Sequence, residues 1–183
     1  MTPNRLPLLY GMPLIIFVAA LLQSTVTVRL VVRGVKPDLV LILVVIGTLI
    51  YGAKAGVFWA FLGGVGLDLF SGGPLGISSL GLMPVALIAG LGHRVLSRYH
   101  LFVPLSASAL GTVIYGLVYV GLLAFLREAS QTPLFGGFVL PIYQLPFWTT
   151  LQDVIVPATI YNTTIVLLII PFLNRVPEVQ EIR

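Results

Sequence analysis

The chain has 183 residues, of which 58% are hydrophobic and 9% charged, and its net charge is +4 with no cysteine. A soluble domain carries about 25% charged residues, whereas Leu6 to Val28 and Leu101 to Leu126 hold no charge at all. This excludes an ordinary water-soluble fold, disulfides and cysteine metal sites. The basic residues lack interleaved aromatics, so they read as topology signals and membrane-lipid headgroup contacts rather than a nucleic-acid surface.

A helix needs roughly 20 mostly apolar residues to cross the hydrocarbon. The first such run covers residues 6–28, with Pro7 and Pro13 early in it, where proline does least harm. It is too long for a signal peptide, and Gln23-Ser24-Thr25 is no small-x-small cleavage site. A basic loop with Arg29, Arg33 and Lys36 leads to Pro37-Asp38-Leu39. Pro37 suits a helix start and Asp38 suits its cap, opening a second span over residues 39–53. A third span, residues 55–70, follows so tightly that the two should form an antiparallel hairpin.

Ser71-Gly72-Gly73-Pro74-Leu75-Gly76 stops that helix and turns the chain. A fourth span covers residues 76–97, with Pro84 as a kink. His93, Arg94, Arg98 and His100 are expected in a solvated basic loop. In the fifth span, residues 101–126, Ser108, Thr112, Tyr115 and Tyr119 recur at helical spacing as a polar stripe facing the bundle. Prolines, glycines and aromatics break residues 129–152 into an interfacial or re-entrant segment. A sixth span runs over residues 153–173, with Asp153 as its cap.

The expected fold is thus an all-α integral membrane protein, one domain over residues 1–183 with six transmembrane helices. Arg5, Lys54, Arg94, Arg98, Arg175 and Arg183 fall on the side of the termini, and Arg29, Arg33, Lys36 and Arg127 on the other. That bias places both termini in the cytoplasm.

Gly52, Gly56, Ala60, Gly64 and Asp68 follow one another at intervals of four. Such neighbours share a helix face, and small residues there let another helix backbone approach closely in lipid. The row offers a docking face for a partner helix, and Asp68 at its end is a costly group that needs a role. Either Asp68 caps the following turn through the Ser71 or Gly72 N–H, or it acts as a polar anchor, ion site or partner contact.

Chemistry finds little support. His93 and His100 have no further converging ligand, so no metal site is expected. There is no His-Glu-x-x-His, no Gly-x-Ser-x-Gly and no Walker motif, and the sequence implies neither an enzyme nor a cofactor. Tyr115, Tyr119 and Tyr161 could line a cavity, although such rows are more often core packing.

Pro37-Asp38-Leu39, the glycine row, and Asp68-Leu69-Phe70-Ser71-Gly72-Gly73-Pro74-Leu75-Gly76 together resemble the rod-shape-determining protein MreD family. Gln23 with Ser24 also fits, as do the length and layout. The resemblance implies a non-enzymatic scaffold of bacterial cell elongation in the cytoplasmic membrane. It implies that the chain binds MreC and, through it, is linked to MreB, a RodA-type polymerase and a penicillin-binding transpeptidase. It also implies a fold like the substrate-binding S-component subunits of energy-coupling-factor transporters. The alternative function is therefore a small-molecule (vitamin-type) transporter subunit with a pocket at the tyrosines.

Overall fold

The structure, a computed structural model, describes residues 6–25, 35–95, 101–130 and 146–173. These are almost wholly helical: α1 (Leu6–Thr25), α2 (Leu39–Tyr51), α3 (Ala53–Ser71), α4 (Ile77–Val95), α5 (Phe102–Ser130), α6 (Phe147–Thr150) and α7 (Val156–Leu173). Ala53–Ser71, Phe102–Leu126 and Phe147–Pro171 are long and apolar enough to cross a membrane, and Gly11–Thr25, Leu39–Tyr51 and Ile77–His93 are shorter apolar helices.

The shortest of the main helices, α2, is the centre. Val40, Leu41, Val44, Val45 and Leu49 are buried on it, and α1, α3, α4, α5 and α7 all pack around it. One side of α2 meets Ile16, Ala20, Trp59, Leu82, Val85 and Val103, while its other side, at Ile42 and Ile46, meets Val166 and Ile170 of α7. Trp59 is fully buried, and its ring lies edge-on to Tyr51 at 5.4 Å between centroids. At 13 residues α2 spans only ~20 Å. It can be short because its neighbours, not lipid, surround it. Large apolar residues such as Leu14, Phe58, Leu87 and Leu168 point outward instead, as expected where lipid is the solvent.

Gly52 joins α2 to α3 with φ +86°, a conformation that L side chains rarely adopt, and its N–H bonds to Thr48 O. A single residue thus reverses the chain and sets α2 and α3 side by side. The last helix departs from expectation. It begins at Phe147 rather than Asp153, and a π turn over Leu151–Ile155 joins α6 to α7. Pro157 accounts for the turn: it has no N–H to give to Asp153 O, and its ring crowds that carbonyl. The turn presents Ile155 to Gly116 of α5, where a Cβ would stand 2.9 Å from the Ile155 side chain. Asp153 sits exposed inside the π turn and caps no helix start. Phe147 and Trp148 are exposed on α6, whereas the rest of the expected aromatic segment, residues 131–145, lies outside the described residues.

Candidate functional site

Moving an apolar side chain from lipid into a helix interface gains little, because lipid is equally apolar. Close backbone packing and buried hydrogen bonds must then hold the bundle. The buried hydrogen bonds concentrate at the end where α2 begins and α3 ends, whereas the close contacts run along α3, from Gly56 on Thr48 to Gly64 on Ser79.

Asp38 is the N-cap of α2, and its Oδ1 accepts from Leu41 N at 3.0 Å, which satisfies one orphan N–H of the first turn. The same oxygen accepts from Gln23 Nε2 of α1 at 3.1 Å, while Gln23 Oε1 accepts from Val40 N at 3.0 Å. The Asp38 N–H donates to Asn162 Oδ1 of α7 at 2.9 Å. Asn162 Nδ2 reaches Thr112 Oγ1 of α5 at 3.2 Å, and Thr112 donates to Ser108 O. Four helices converge on this chain of bonds, and Asn162 is fully buried within it. Burial pushes the Asp38 carboxyl above its ordinary value, opposed by the Leu41 N–H, the Gln23 amide and the Lys36 charge. Pro37 is buried beside it.

Asp68 forms the second anchor. It is 2% exposed. Its Oδ2 accepts from Gly76 N at 2.6 Å, and its carboxylate also accepts from Ser78 N at 3.2 Å. This corrects the expectation of a cap on Ser71 or Gly72. Gly72, at φ +69°, turns the chain back, and the carboxylate meets the orphan N–H groups that open α4. Ser71 and Gly72 are exposed and Pro74 is half-buried, so these residues shape the turn. Tyr115 of α5 donates to Ser78 Oγ at 3.3 Å, which ties α5 to the start of α4 beside this anchor.

The small-residue row proves to be an internal seam. Gly56 lies on the Thr48 side chain of α2, Ala60 is fully buried, and Gly64 lies directly on the Ser79 backbone of α4. Ser79 Oγ adds a bond to Phe61 O at 3.0 Å. The helices that the row admits belong to the same chain, so it is not an open docking face. Two glycines off the row serve α1: Gly63 faces Ile16 and Gly66 faces Ala20.

Of the tyrosines, Tyr115 and Tyr119 pack with ring centroids 5.8 Å apart. Tyr161 lies on α7 next to Asn162, half-buried. None of the three lines the apolar groove between α1, α2 and α7. His93 belongs to α4 rather than to a loop, and its Nδ1 is 2.7 Å from Leu49 O, at the opposite end of α2. His100 lies outside the described residues. Among the described residues, no group of three His, Cys, Asp or Glu side chains could hold a metal ion.

Asn162 is the residue that sequence reasoning passed over. A lone asparagine within the apolar run from Val154 to Leu173 was the available signal, since a polar group in a membrane helix needs a partner.

No curated protein and no solved structure matches the chain. A family model described as rod shape-determining protein MreD matches residues 5–176, which takes in every helix described above. The chain therefore belongs to the MreD family of rod shape-determining membrane proteins.

Proposed function

We propose that this protein works by contact, as a non-enzymatic scaffold that binds MreC and so helps to regulate peptidoglycan synthesis during cell elongation. Family membership carries the role in rod shape. The observation that supports a contact mechanism is how the polar side chains are used: both anchor carboxylates accept helix-opening N–H groups of the chain itself. They hold helices in place rather than wait for a substrate. The partners beyond MreC would be MreB, a RodA-type polymerase and a penicillin-binding transpeptidase. The setting would be the cytoplasmic membrane, with both termini in the cytoplasm.

Since the glycine row is covered, the partner's span would meet an outward face. Phe58 and Phe61 of α3 are 56% and 50% exposed and lie one helical turn apart. Aromatic side chains are common interface anchors. The transporter alternative needs a polar pocket at the tyrosines, and Tyr115 already gives its hydroxyl to Ser78.

Photocrosslinking amino acids at positions 58 and 61, in cells carrying tagged MreC, test the reading. Capture of MreC from either position supports it. Capture of MreC from Leu168 on α7 alone would move the docking face, and no capture from any outward position would end the scaffold reading.

A further inference from the structure

We propose that the groove between α1, α2 and α7 holds one acyl chain of an anionic phospholipid, with the lipid phosphate beside Lys36. The groove is open on its outer side, has a volume of ≈ 430 Å³ and is lined by aliphatic side chains, among them Leu14, Val18 and Leu22 of α1, Leu39 and Leu43 of α2, and Ile165 of α7. Its walls offer no polar partners, so water gains nothing there. A slender hydrocarbon chain suits both the size and the surface.

Charge selects the headgroup. Lys36 is exposed and stands three positions before Leu39, which lines the groove at the end where α2 begins. Asp38, two positions on, already has its carboxylate accepting from Gln23 and Leu41. A lysine so placed complements a phosphate at the membrane surface. The groove shares no residue with the outward face of α3, so this inference can fail while the partner reading holds, and the reverse.

Native mass spectrometry of the full chain in detergent, with phosphatidylglycerol and phosphatidylcholine added in equal amounts, tests it. A one-to-one adduct favouring phosphatidylglycerol by about fivefold is expected, the effect of one lysine near an anionic lipid. Lys36→Gln should bring the two lipids to parity. Val18→Trp and Leu22→Trp, which fill the groove from exposed positions, should remove the adduct. Leu87→Trp, exposed on α4, should leave it. Absence of any adduct on the wild-type chain would overturn the proposal. So would an adduct that survives both groove-filling variants, or a retained mass that proves to be polypeptide.

Discussion

Asp38 and Asn162 are joined by a hydrogen bond of 2.9 Å although 124 positions separate them in the chain. The donor is a backbone N–H at the start of the central helix, and the acceptor is a buried amide on the last helix. This contact ties the end of the fold to its middle. Because Asn162 also donates to Thr112, it fixes α5 in the same step.

Replacing Asn162 by leucine keeps the number and branching of side-chain heavy atoms and removes both bonds. We expect a loss of about 1–2 kcal/mol in the stability of the purified protein, the range of interhelical hydrogen bonds in lipid. Unfolding in detergent would measure it. Thr112→Val should cost less, and the double variant should cost less than the sum of the two, since both remove one shared bond.

Asp68→Ala leaves the Gly76 and Ser78 N–H groups without their acceptor. The expected cost is about 1–2 kcal/mol, as for other N-cap deletions. Asp68→Asn keeps one oxygen acceptor and should recover part of it. Hydrogen exchange at Gly76 and Ser78 would locate the effect: both amides should exchange faster in the alanine variant, while the amides of α7 remain protected.

Gly64→Ala drives a methyl group into the Ser79 backbone and must force α3 from α4. We expect about 1–3 kcal/mol of destabilisation, typical of overpacking. Gly121→Ala, inside α5, places its methyl in open space and should be neutral or stabilising by up to about 1 kcal/mol, the helix preference of alanine over glycine. Melting temperatures in one detergent compare the two directly.

Ser108 is fully buried, and among the described residues its Oγ has no hydrogen-bond partner. An unpaired buried hydroxyl is a cost, so Ser108→Ala should be neutral or stabilising by up to about 1 kcal/mol. A clear loss of stability would show that the hydroxyl has a partner after all.

The apolar runs make the helices legible, because length and hydropathy alone demand them. Asp38 as a cap could be read from its place after Pro37 and before an apolar run. The target of Asp68 could not. Its partners lie eight and ten positions on, and finding them requires knowing that Gly72 turns back rather than onward. The glycine row signalled close approach correctly, but a row has no label for whose helix approaches. Here they are the chain's own α2, at Gly56, and α4, at Gly64, the latter delivered by the turn at 71–76. His93 looked like loop because it neighbours Arg94, yet α2 ends with a carbonyl within its reach. The π turn follows from Pro157 only once the helix is known to begin before it.

Partner recovery from native membranes tests most directly whether the protein works by contact through an intact bundle. Tagged wild-type protein, Asn162→Leu and Asp68→Ala would be extracted under the same mild conditions, and the co-purified proteins identified by mass spectrometry. We expect MreC with the wild-type chain, and recovery that falls with the folded fraction of each variant. Wild-type protein that emerges alone, or variants that lose their fold yet retain MreC in full, would contradict the account.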